Sequence, residues 1–88
     1  MLEDSLIGRY VELDPRRPWS GEARLRDSGV PVWALVGHWL NATKGDAEAV
    51  AHDYDLPLDA VIAALAFYRR HKPLIDARLA ENSATSVA

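Results

Sequence analysis

Arg69-Arg70-His71-Lys72 is the densest run of cations in the chain, and with Lys44 it is the set of side chains suited to holding phosphates. The same run also fits a solvated helix end, because cations complement the negative end of the helix dipole. Arg24 and Arg26 sit two apart, on one face of a candidate strand, where they can pair with acids or reach a partner. Trp19, in a proline-containing loop, and Trp33, near the start of a helical stretch, are candidate interface anchors, since Trp is enriched at binding hot spots. Catalysis finds little support. His38, His52 and His71 are too far apart for a His-x-x-x-His pair, and the chain has neither a His-Glu-x-x-His motif nor a glycine-rich phosphate loop. His52-Asp53 reads as a solvated pair, and no segment offers a Ser or Thr nucleophile a positioned base. No enzyme activity, cofactor or metal site is expected.

Composition narrows the classes further. Eighty-eight residues make one small domain. A chain of this size buries only somewhat over ~60% of its unfolded surface. Its hydrophobic content of 49%, with three Trp, leaves apolar surface that a homodimer would use. Ten basic against thirteen acidic residues give a net charge of −3, unlike a protein held to nucleic acid mainly through phosphates. Across residues 1–30 five Arg face six acids, so no basic arm exists there. The chain has no cysteine, which excludes disulfides and thiolate chemistry and suits a reducing cytoplasm. The acidic opening Met1–Arg9 lacks the make-up of a signal or transit peptide, and no apolar run approaches the ~20 residues of a membrane span.

These side chains must be positioned by a small set of elements. Tyr10–Leu13 alternates and predicts a short strand closed by Asp14-Pro15. A loop follows, then a second short strand at Ala23–Arg26 and a turn at Asp27-Ser28-Gly29. Helical spacing begins at Pro31, with Val32, Leu35, Val36, Trp39 and Leu40 on one stripe. Asp46 is the natural N-cap of the next helix, whose Ala47, Val50, Ala51 and Tyr54 share a face. After Asp55-Leu56, Pro57 opens a third helix with Leu58, Val61, Ile62, Leu65 and Tyr68 on its stripe, and Pro73 opens a fourth. The predicted fold is mainly α. It has three to four helices including a helix-turn-helix-like pair, and a short N-terminal β element. Residues 1–31 form a strand/loop arm, 32–81 the helical domain in one folding unit with it, and 82–88 a flexible tail.

A helix-turn-helix raises DNA reading. Yet the positions that would meet base edges are Pro57, Leu58, Asp59, Ala60 and Ala63, none a common bidentate base reader. Ala60, Ala63, Ala64 and Phe67 instead give this helix a second apolar face. A helix apolar on two faces is buried on two sides, so these four residues are predicted to form core together with a dimer or partner contact.

Three stretches carry a family resemblance: Ser20–Val32, Asp53–Val61 with its acidic-Tyr-acidic-Leu-Pro turn, and Ala63-Ala64-Leu65-Ala66-Phe67-Tyr68. In order and spacing they resemble the bacterial family known as domain of unknown function 433, over roughly three quarters of the chain. Asp27-Ser28-Gly29 departs from that family's Gly-Thr-Arg, so no role of that Arg transfers to Gly29, and Lys44-Gly45 displaces its usual Gly. The resemblance implies a homeodomain-like fold and an antitoxin that neutralises a PIN-like nuclease toxin, with Glu48, Asp53 or Asp55 facing a cationic rim. The alternatives are a DNA-binding autorepressor using Lys44, Arg69, Arg70 and Lys72, or a domain that only self-associates.

Overall fold

The computed structural model describes residues 2–87, with side chains through Asn82. Five α-helices and one two-stranded sheet are present among them: α1 (Leu2–Tyr10), β1 (Val11–Glu12), β2 (Arg24–Leu25), α2 (Val32–Asn41), α3 (Ala47–Tyr54), α4 (Leu58–Arg70) and α5 (Lys72–Val87). A 3-10 turn at Ser20–Glu22 precedes β2. The mainly helical class agrees with the sequence reading, but five helices stand where three to four were expected.

The added helix is α1. It occupies the segment read as part of a strand/loop arm. Its apolar residues Leu6, Ile7 and Tyr10 are few and interrupted by Gly8, so periodicity alone does not declare it. Glu3 and Asp4 in its first turn and Arg9 in its last complement the helix dipole. A nine-residue helix is marginal in isolation, so its formation rests on packing against the rest of the chain. The antiparallel β1–β2 pair then sets Val11 opposite Leu25 and Glu12 opposite Arg24, with Val11 and Leu25 pointing into the core.

The helical part follows its local signals closely. Asp46 accepts a hydrogen bond from the Ala49 amide at 3.1 Å, capping α3. Asp55 ends that helix in the left-handed region (φ 56°), and the Leu56 amide donates back to the Ala51 carbonyl at 2.8 Å. This is a Schellman-type stop. Pro57 is extended and immediately starts α4, so the turn between the two helices is as tight as the sequence implied.

α4 is the hub. Ala60, Val61, Ala63, Ala64, Leu65, Ala66, Phe67 and Tyr68 are all buried, covered by α2 and α3 on one side and by α1 on another. Leu58 and Ile62, expected on the inner stripe, are exposed instead. The true buried arc is centred on Val61, Ala64 and Tyr68, and those two residues lie at its open edge. Leu40, expected on the α2 stripe, is likewise exposed. From Asn82 to Val87, where a tail was expected, the backbone continues α5, and Ala88 lies outside the described residues. No helix among the described residues is long and apolar enough to cross a membrane.

Candidate protein-interaction site

Two groups of side chains emerge, one open and one closed. The open group is built where the 3-10 turn packs on α5. Gly21 is buried in that contact, and a Cβ there would meet the Leu74 carbonyl oxygen at 3.3 Å. The lack of a side chain at Gly21 thus lets the turn approach the α5 backbone closely. Trp19 immediately precedes the turn, its amide donating to the Arg17 carbonyl at 2.8 Å and its carbonyl accepting from the Glu22 amide at 3.0 Å. The backbone is therefore tied on both sides, while the indole is 57% exposed. Leu74, 53% exposed on the first turns of α5, lines the same shallow groove together with Ala77 and Arg78.

Arg78 organises the floor. Its Nε donates to Glu22 Oε1 at 2.7 Å, and its guanidinium lies 4.4 Å from the centre of the Trp33 ring. Arg17 reaches the second Glu22 oxygen at 3.9 Å. A guanidinium held between a carboxylate and an indole face has little freedom left, and such a stack contributes about 0.5–1 kcal/mol when partly exposed. The groove thus presents an aromatic ring and an aliphatic side chain, with its charges already matched to one another. Trp19 and Trp33, separate signals in the sequence, are brought to one region through Arg78. Leu74 and Arg78 complete it and were not singled out from sequence. Their signal was present only as an i, i+4 pair on a helix that looked ordinary.

The closed group is the cation run at the end of α4. Arg70 Nε donates to Glu3 Oε1 at 3.0 Å, and its other end pairs with Asp4. Arg69 approaches Glu3 at 3.8 Å. The hydrogen bond to Asp4 is the chief cause holding the Arg70 guanidinium above its ordinary value. Lys72 donates to Asp76 at 2.8 Å, which raises the ammonium and lowers the Asp76 carboxyl. Tyr68 also donates to Asp76, at 2.7 Å, and burial, ahead of that bond, pushes its hydroxyl upward. Of the four phosphate-holding candidates, only Lys44 has no ion pair among the described residues. It sits in the α2–α3 turn in the left-handed region (φ 58°).

The remaining candidates are engaged internally. Arg24 donates to Glu12 at 2.8 Å across the sheet and lies 3.8 Å from Asp14. That bond to Glu12 raises the guanidinium above its usual value. Arg26 donates to the Gly8 carbonyl at 3.2 Å and reaches Glu12 at 3.5 Å. These are cross-strand pairs that hold β1 to β2 and to α1. Ala60, Ala63, Ala64 and Phe67 are buried within the single chain, beneath α1. Their apolar arc does mark a covered face. The cover comes from the same chain, which corrects the expectation that this face lies open to a partner.

Asp53 is not simply one half of a solvated pair with His52. His38 Nε2 donates to Asp53 Oδ2 at 2.8 Å, joining α2 to α3, whereas His52 is 3.7 Å away and almost fully exposed. The bond from His38 is the main cause holding the Asp53 carboxyl below the usual carboxylate range. Among the described residues no group of three or more His, Asp or Glu is placed to hold a metal. No family model, curated protein or solved structure matches this chain.

Proposed function

We propose that this chain is a protein-interaction module of the antitoxin type, and that it binds its partner through the Trp19–Leu74–Arg78 groove. The observation that carries this reading is the groove itself: an indole and a leucine exposed on an ordered backbone, ringed by charges that are already paired. Exposed tryptophan beside a fixed arginine is the combination most enriched at binding hot spots. The nuclease as partner rests on the order and spacing of the motifs shared with the domain of unknown function 433 family. On this reading the protein acts in the cytoplasm as a homodimer, and blocks a PIN-like nuclease by covering its active site. Glu48 and Asp55, exposed and without ion partners among the described residues, remain suited to a cationic rim. Asp53 is engaged by His38.

DNA reading is the lesser alternative. It would draw on Lys44, Arg69, Arg70 and Lys72, of which the last three are neutralised within the chain. Co-expression with the product of the adjacent gene tests the main reading. The expected outcome is co-purification and relief of toxicity, both lost in Trp19→Ala. A partner that neither co-purifies nor is neutralised overturns it. Salt-sensitive binding of the wild-type chain to its own promoter would favour the alternative.

A further inference from the structure

α1 covers a dry face of α4 while holding on lightly itself. None of its residues is fully buried, yet beneath it Ala63 and Ala64 are wholly inaccessible to solvent. Its ion pairs, Glu3 and Asp4 with Arg69 and Arg70, are all solvent-accessible, and such pairs contribute about 0–1 kcal/mol each. Gly8 lies inside this short helix with open space around it, a weak point in helix propensity. Past that point the chain is fixed: the Arg26 amide donates to the Tyr10 carbonyl at 2.9 Å, and β1 pairs with β2 without an intervening residue after α1. The molecule thus has a cover hinged near Gly8 over a surface that cannot be left in water.

We propose that the α4 face beneath α1 also accepts α1 from a second copy of this chain, giving a dimer in which the two first helices are exchanged. The chemistry of the occupant is set by the face. Its floor is alanine, which admits only close helix packing, and its far end carries two guanidiniums. The start of α1, with Glu3 and Asp4, meets the end of α4, while Tyr10 meets the α4 start beside Pro57 and Ala60. The two helices therefore run antiparallel. A short helix with two carboxylates in its first turn and Leu6, Ile7 and Tyr10 on one side is the complement, and a second copy supplies it. Every contact broken in one chain is remade with the other, so exchange costs the association entropy and the hinge rearrangement rather than any interface contact. The Trp19 groove lies on other elements and takes no part, so this inference stands apart from the proposed partner.

Charge reversal tests it. One variant carries Glu3→Arg and Asp4→Arg, another Arg69→Glu and Arg70→Glu. Each alone is expected to stay monomeric, with unprotected α1 amides. An equimolar mixture is expected to double in mass by light scattering, because each reversed helix then finds an opposite face only in the other chain. A mixture that keeps the monomer mass overturns the proposal. The second measurement needs no variant: wild-type chains, half of them carbon-13 labelled, should show filtered nuclear Overhauser contacts between α1 methyls of one chain and α4 methyls of the other. Their absence at the highest soluble concentration overturns it equally.

Discussion

The cation run at the end of α4 and the groove beside Trp19 are both surface features, yet they differ in what they leave available. Arg69, Arg70 and Lys72 are exposed, but each has a carboxylate partner. Trp19 and Leu74 are exposed with no covering side chain reported beyond their own groove. Charge on a surface is satisfied cheaply by a neighbouring acid, and this chain has an excess of acids. Apolar area can be satisfied only by burial. Solvent exposure is therefore a weaker sign of function for an arginine than for a tryptophan.

The contrast can be broken at its apolar end first. Trp19→Ala should weaken partner binding by about 2 kcal/mol, roughly 30-fold in Kd, while changing unfolding free energy by no more than ~0.5 kcal/mol. Titration calorimetry and denaturant melts read the two quantities; a large loss of stability with unchanged affinity would make Trp19 a lid on its own core.

Arg78→Ala sharpens the account of the groove floor. It leaves Glu22 short of its main partner and removes the cation from the Trp33 face. A loss of about 1–2 kcal/mol in denaturant unfolding is expected, and Arg78→Lys should recover only part of it, because an ammonium lacks the planar fork.

On the charged side, Gly8→Ala probes the cover. The position has room for a methyl group and lies within α1, so stability should rise by about 0.5–1 kcal/mol. Slower amide exchange in α1 should accompany it. Faster exchange would mean that Gly8 is required for the docked geometry.

The smallest effect is in acid. Asp53 and Asp76 have folded values below their unfolded ones. The stability they contribute is present above the unfolded value, near ~3.9, and is lost as pH falls through the lower folded value. Asp53→Asn should flatten the acid limb of a stability–pH curve and leave the neutral region little changed. A curve that keeps its slope would show that the His38 contact is not formed in solution.

Much of the helical part was legible residue by residue. Asp46 as a cap, Pro57 as a helix opener and the two-residue turn at Asp55-Leu56 are local signals, set by backbone chemistry within a few residues. α1 was not legible, because Leu6, Ile7 and Tyr10 form too short a stripe to stand out beside Gly8. Leu58 and Ile62 were misplaced for a related reason. On a helix apolar over most of its circumference, periodicity does not say which edge stays open. The groove was half legible: Trp19 and Trp33 drew notice by residue type, but their link through Arg78 joins positions more than forty residues apart.

The amino-acid sequence by itself determined the mainly helical class, the cap and turn positions, and the fact that α4 must be buried on two sides. Those follow from interactions a few residues long and from the amount of apolar surface on one helix. Only the tertiary structure decided what covers the second side. It placed Glu3 and Asp4 on Arg69 and Arg70, and gathered Trp19, Trp33, Leu74 and Arg78 at one groove. An apolar face specifies that it must leave water, and nothing in its own residues specifies which surface will meet it.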